Sequence, residues 1–441
     1  MSQNVLQPAT KATGTEEVIH IAQRLIQIDT TNYCEGRAVG EAVASEYVAE
    51  LLREVGLEPQ IYEAAPNRTN VVARWKGTDP DLPALLIHAH LDVVPADPEK
   101  WTVDPFAGVI KDGMLWGRGA VDMKDMVAMI LASVRDMIRR GERPKRDIVL
   151  AFFADEEDNS SVGSVWMIKN HPEVFAGVDA AISEVGGFSV EVSGRQVFLI
   201  QTGEKGILWL KLHASGPTGH ASRISKDNAI LEVAEAVSRI GREPWPVSLT
   251  ATTEALIERL REIGDFPSAT DPATIAEATG SCASFVSPGL LTVANVTMIN
   301  GGYMANVIPG DASAFVDVRV LPGQRDQVLD RIRELAGPNV RIEIYHDVEG
   351  TETTFDGPLV EAMANALHTH CPDADVAPYL LAAGTDNAFL AEIGIRGYGF
   401  CPLLLPPDFD FPAMFHGHDE RVPLDSLVFG QAVLTELLQT Y

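Results

Sequence analysis

Apolar residues recur at helical spacing near the start of the chain, at Val18, Ile21, Ala22, Leu25 and Ile26, which predicts an opening helix that Thr15 could cap. A second helix is expected from about Val39 to Val55, stopped by Gly56. The pattern then alternates between short aliphatic runs and helix-period segments. Strands are expected over Ala84 to His88, Asp147 to Phe153 and Ala180 to Ser183, with helices near Met123 to Ile138 and Val162 to Lys169 between them. Continuous apolar strands separated by helices indicate a largely parallel sheet covered on both faces.

From about Leu212 the texture changes to Gly and Pro turns, a helix over Ala229 to Ile240, a charged helical stretch near Thr253 to Ile263, and strands over Leu291 to Met298 and Ser313 to Val320. Residues 214–321 read as a smaller, inserted α+β domain. After it, a helix (Gln327 to Leu335), a strand (Val340 to Tyr345), a helix (Leu359 to His368), a strand (Ile395 to Phe400) and a final helix (Leu424 to Leu438) resume the first pattern. The expected architecture is therefore α/β, with a catalytic domain made of residues 1–213 and 322–441 around the insertion. The segment Pro267 to Gly280 reads as a mobile loop.

A chain of 441 residues exceeds one typical core, consistent with two domains. Acidic residues outnumber basic ones 62 to 34, for a formal charge of −28, which argues against nucleic-acid and anionic-membrane partners and reads as solubility. Cys34, Cys282, Cys371 and Cys401 are scattered and form no CxxC pair, so they read as reduced structural thiols. The first residues lack the pattern of a secretion signal, and no stretch reaches the roughly 18 apolar residues of a spanning helix, so a cytoplasmic protein is expected.

The candidate chemistry collects just after the expected strands, where open α/β sheets hold their ligands. His90 and Asp92 follow the first of them, in LIHAHLDVVP; Asp155, Glu156 and Glu157 follow DIVLAFFA; Glu184 follows AAIS; His416 comes after the last strand and a loop. Imidazole and carboxylate suit a cation such as zinc, which takes N and O donors at about 2.0–2.2 Å. Any one cluster alone reads as a solvated loop or a helix cap. Asp122, in GRGAVDMKD just before a helix, taken alone reads as that helix's N-cap.

Together HLDVVP, WGRGAVDMKD, FADEE, SEVGG, GPTGHAS, AGTDN and HGHDE run in the order found in the dinuclear zinc amidohydrolases, the family of aminoacylases, succinyl-diaminopimelate desuccinylases, carboxypeptidase G and related dipeptidases. The chain resembles that family over nearly its whole length. The resemblance implies a zinc-peptidase-like catalytic domain, an inserted lid and dimerisation domain, a homodimer, and two Zn²⁺ per subunit, with Co²⁺ or Mn²⁺ as compatible substitutes. By it, His90, Asp122 and Glu184 hold one ion, Asp122, Glu157 and His416 hold the other, and Glu156 is the general base. Asp92 would accept a hydrogen bond from the other ring nitrogen of His90. His88 and His418 compete for the histidine roles on spacing alone.

In the inserted domain the resemblance makes His220 an oxyanion-stabilising group reaching a neighbouring subunit's site. Asn306, Arg319 and Gly384 become substrate contacts, Arg319 as a bidentate carboxylate clamp; without the resemblance, Arg319 is an ion-pairing strand residue. Glutamate at position 184 is similar to the aminoacylases and desuccinylases, whereas aspartate there is more usual in dipeptidases and carboxypeptidase G. The expected reaction is hydrolysis of a linear amide beside a free carboxylate, in an N-acyl amino acid. A dipeptidase or carboxypeptidase acting on a short peptide is the alternative within the family, and a non-catalytic ligand-binding descendant the alternative outside enzymes.

Overall fold

The computed structural model describes residues 14–441, which divide into two compact units. The described residues of the first are 14–200, Phe355–Val376 and Phe389–Tyr441. Its sheet runs in the order Gln60–Ala65, Arg68–Trp75, Ile148–Phe153, Ala84–His90, Val178–Ser183, Arg396–Gly399. The first two strands join by antiparallel pairing; the last four are mutually parallel. Every residue of Ala84–His90 and Ile148–Phe153 is buried, as expected for strands covered on both faces.

Alternation within those strands divides the packing. Leu86, Val149, Ala151 and Phe153 form one cluster with Met167 of the helix Ser164–Asn170 and with Leu390 and Ile395. The helix Lys124–Arg139 is buried on nearly all sides and packs against Gly14–Ile26 and Leu424–Thr440. Truncating a core residue such as Leu86 to alanine would cost about 2–5 kcal/mol. The opening helix spans Gly14–Ile26, and the side chain of its expected cap, Thr15, lies outside the described residues.

The second unit comprises Gln201–Thr354 and Ala377–Ala388. Four strands, in the order Val293–Gly301, Asp311–Val320, Gly206–Ser215, Val340–Val348, pair antiparallel throughout. Leu208, Leu210, Leu212, Val316 and Val318 point to one face, where they bury Val233, Ala236 and Ile240 of the helix Ala229–Gly241 and Val328, Leu329 and Ile332 of the helix Arg325–Ala336. The alternate residues Ile207, Trp209, Lys211 and His213 are only partly buried.

Here the structure departs from the sequence reading. The helix at 325–336 and the strand at 340–348 belong to this unit: the strand hydrogen-bonds along Gly206–Ser215, and the helix closes the same core. Apolar periodicity identifies a strand but not the sheet it joins. The unit also begins earlier, at Gln201, and includes 377–388. Within Pro267–Gly280 lies a short helix, Pro272–Glu277, capped by Asp271 and burying Ile275 and Ala276. Among the described residues no helix is long and apolar enough to cross a membrane, and all four cysteines are free.

Candidate metal centre

Because Ala84–His90, Ile148–Phe153 and Val178–Ser183 are parallel neighbours, their carboxyl ends share one edge of the sheet. That edge delivers His90, the Asp155–Glu157 turn and Glu184 to one place. Asp122 arrives from the turn before the helix Lys124–Arg139, and His416 from the loop that follows Arg396–Gly399. His90 Nε2 lies 3.0 Å from Asp122 Oδ1, 3.7 Å from Glu184 Oε2 and 3.9 Å from Glu156 Oε2. His416 Nε2 lies 3.3 Å from Asp122 Oδ2 and 3.0 Å from Glu157 Oε2. Asp122 thus turns one carboxylate oxygen toward each imidazole. It does not cap the helix: the N-cap position is Met123, without a side-chain cap bond. Of the competing histidines, His88 is buried with its ring tilted against Phe153, and His418 is exposed.

Buried side chains hold the backbone that carries these groups. Glu420 accepts N–H bonds from Gly119 (3.0 Å), Val121 (2.7 Å) and Asp122 (3.1 Å) and pairs with Arg118 at 2.8 Å. Gly119 has φ of +85°, and a Cβ there would meet Lys124 and Val93 at 2.9 Å, so glycine is required for this path. On the other side, Asp92 departs from its expected role. His90 Nδ1 donates to the backbone carbonyl of Asp92 at 2.9 Å, with the carboxylate at 3.6 Å. A carbonyl can only accept, so this bond still fixes the tautomer and leaves Nε2 as the ligand nitrogen. The Asp92 carboxylate instead receives the N–H groups of Glu156 and Glu157, at 3.2 and 3.3 Å, and Asn32 Nδ2 at 2.9 Å.

Asn32 also bonds Asp155, whose carboxylate pairs with Arg68 at 2.8 Å; Arg68 in turn grips Glu41 through Nε and Nη2. Asp155 has φ of +69°, a left-handed turn that hands Glu156 and Glu157 forward. Sequence reasoning did not find Asn32, Glu41, Arg68 or Glu420. Glu420 stands inside the quoted HGHDE segment, but Arg68 and Glu41 carry no local signal at all.

The charges are mutually dependent. Burial, then the Asp122 charge, push the Glu157 carboxyl up to about 7. Hydrogen bonds to Asp122 and Glu157 raise His416 to about 10. Burial works against protonation of His90, yet Glu184 and Asp122 hold it well above the ordinary histidine value. Burial also opposes ionisation of Asp122, but the two histidines overcome it and hold that carboxyl well below the usual range. Glu184 is pushed up by burial. Fully ionised, Asp122, Glu156, Glu157 and Glu184 carry four negative charges, which two divalent cations would balance with both histidines neutral. Glu157 Oε1 is buried and has no hydrogen-bond partner among the described residues. An oxygen- and nitrogen-preferring divalent metal fits this donor set.

The remaining candidates lie in the second unit. His220, on the short strand Gly219–His220, is exposed and bonds Ser222 Oγ at 2.8 Å. The carbonyl of Asn306 accepts the N–H of Ala221 at 3.0 Å, so His220 and Asn306 are neighbours. Arg319 directs Nε and Nη2 at Asp317, at 2.7 and 3.0 Å, so one forked edge of the expected carboxylate clamp is already occupied. A Cβ on Gly384 would come within 3.0 Å of Ile207 Cδ1, tighter than ordinary packing.

Comparison with known proteins identifies the family. The pattern of "Peptidase family M20/M25/M40" matches residues 86–440. Aminoacylase-1 of Pongo abelii is 30% identical over 409 residues, covering 90% of this chain and 89% of its own. The N-fatty-acyl-amino acid synthase/hydrolase of Mus musculus is 28% identical over 445 residues, covering 93% of this chain and 86% of its own. Among solved structures, an M20 family metallo-carboxypeptidase from Sulfolobus solfataricus superposes with a TM-score of 0.73 at 20% identity, covering 96% of this chain and 98% of that one. This last likeness concerns the fold.

Proposed function

Since the chain belongs to peptidase family M20/M25/M40 and is a hydrolytic enzyme, we propose that it is a dinuclear zinc amidohydrolase cleaving the linear amide of an N-acyl amino acid. The observation that carries this reading is Asp122, one carboxylate oxygen facing His90 and the other His416. In this reading His90, Asp122 and Glu184 hold one ion, and Asp122, Glu157 and His416 the other. When bound, the pair polarises the scissile carbonyl and makes water acidic enough to ionise near neutral pH.

The protein's own groups do the rest. Glu156 projects from the Asp92-held turn toward the cluster, its Oε2 close to His90, and takes the proton of the attacking water. The same carboxyl then returns that proton to the leaving amine nitrogen. His220 donates to the oxyanion. Arg319 and Asn306 orient the substrate, and Gly384 admits its backbone close by. A homodimer is part of this reading: the edge strand Val293–Gly301 exposes Val296, Met298 and Ile299, and its last residue, Gly301, lies against Ile230, which is also exposed, an edge suited to a second copy.

The test is hydrolysis of matched pairs by zinc-loaded protein, each an N-acyl amino acid and the free-amine dipeptide with the same C-terminal residue. Faster turnover of the acyl member is expected. Preference for the dipeptide would make the protein a dipeptidase or carboxypeptidase and would show that Glu184 does not report the substrate class.

A further inference from the structure

One buried cation has no part in the chemistry above. Lys205 is 1% exposed, stands between the strands Arg195–Glu204 and Gly206–Ser215, and donates from Nζ to the carbonyl of Leu291 at 2.5 Å. Its sequence neighbour Glu204 directs Oε2 to Gln201 and Thr385 instead, and no carboxylate among the described residues pairs with the ammonium. A lysine ammonium taken out of water without an anion is strongly disfavoured. Burial, then the Arg319 charge, bring Lys205 down to about 7.

Strand register brings this group and Arg319 to one corner. Arg319 lies opposite Ile207 on one side and Val293 on the other. Leu291, which holds the ammonium, is two residues before Val293. A Cβ on Gly384 would sit 3.0 Å from Ile207 and 4.0 Å from the carbonyl oxygen of Lys205. Asp317 already matches the charge of Arg319 and also accepts the Trp209 indole N–H at 3.1 Å. The excess positive charge at this corner is therefore that of Lys205, in a chain whose formal charge is −28. An ammonium has three donors, and the Leu291 carbonyl takes one.

We propose that Lys205 is a specificity-determining residue whose ammonium, beside Arg319, anchors the free carboxylate of the substrate. This rests on the amidohydrolase reading and goes beyond it: Arg319, one edge committed to Asp317, acts as half of a two-cation site. Binding of an anion supplies the charge partner that the buried lysine lacks, so affinity for the carboxylate and protonation of Lys205 reinforce each other.

The test compares N-acyl amino acids with their C-terminal carboxamides, over a panel of side chains, in the zinc-loaded full chain. The readout is the ratio of kcat/KM for acid to that for carboxamide. Lys205→Gln keeps a donor for Leu291 but removes the charge, and is expected to lower that ratio about 10- to 100-fold, mainly through KM for the acid. Lys205→Arg is expected to retain most of the preference. An unchanged ratio in Lys205→Gln, including equal loss on both substrates, would assign Lys205 to packing and overturn the proposal. If Lys205→Gln does not fold, Lys205→Met, which fills the buried volume without a charge, takes its place: a lowered ratio supports the anchor and an unchanged ratio overturns it. Failure of the wild type to cleave any member of the panel would instead overturn the amidohydrolase reading, whatever the variants do.

Discussion

The candidate metal centre of the first unit and the polar corner of the second are built on different physical terms. Around the cluster, Asp92, Asp122, Glu184 and Glu420 are all buried, and the turns carrying them are tied by further buried groups such as Asn32 and Arg68. In the second unit His220 and Asn306 are exposed, and the His220 ring is held within its own turn, by the hydroxyl and the backbone N–H of Ser222. The difference teaches where each kind of group keeps its geometry. Carboxylates gathered against mutual repulsion require a rigid frame, whereas a group that meets the substrate late in the reaction can be held loosely until then.

If that contrast is right, the largest effect comes from the residue between the histidines. Asp122→Asn keeps the shape but halves the site's capacity to bridge, and we expect loss of both metals by elemental analysis and of essentially all turnover. His220→Ala should lower kcat by about 10²–10³-fold while metal content stays at the wild-type level, since in the proposed mechanism the imidazole serves only the oxyanion. Loss of metal in that variant would erase the distinction between the two regions.

Glu420→Gln tests whether the frame matters as much as the ligands. It removes the charge that gathers three N–H groups and Arg118, and a 10–100-fold loss of metal affinity is expected, roughly that of outer-sphere partners elsewhere. Unaltered affinity in isothermal titration would mean that the Asp122 turn holds itself.

The smallest effect concerns pH in the metal-free protein. His416 is raised from 6.5 to about 10 by its carboxylate partners, so the stability it contributes is fully present below about pH 6.5 and is lost as pH rises through 10. Glu157, raised from 4.5 to about 7, acts in the same direction, because ionising it in the buried cluster costs stability between those values. In chelated protein the melting-temperature advantage of the wild type over His416→Gln should therefore shrink from pH 6 to 10; Lys205, lowered from 10.5 to about 7, works in the opposite direction in both proteins and cancels from the comparison. An advantage that does not change with pH would show that His416 does not depend on the carboxylates for its charge.

The two regions also differed in how far the sequence revealed them. The parallel core was legible because Ala84–His90 and Ile148–Phe153 are unbroken apolar runs ending in polar clusters, so strand, edge and candidate ligand appear together. Arg68 and Glu41 were not, because their roles arise from pairing across 27 residues, with no local pattern to mark it. Strand 340–348 was recognised but assigned to the wrong sheet, since its alternation fits either one. Lys205 reads in sequence as a turn lysine; only its burial and its missing anion distinguish it.

The most direct test of the central claim is one preparation of Glu156→Gln, assayed for metal and for turnover together. The proposed mechanism makes this side chain the proton carrier and not a ligand, although it stands with His90 and Glu184 in one group that could hold a metal, so the variant should retain two divalent ions per chain and lose about 10²–10⁴-fold in kcat. A metal-replete variant with near-normal turnover would contradict that assignment.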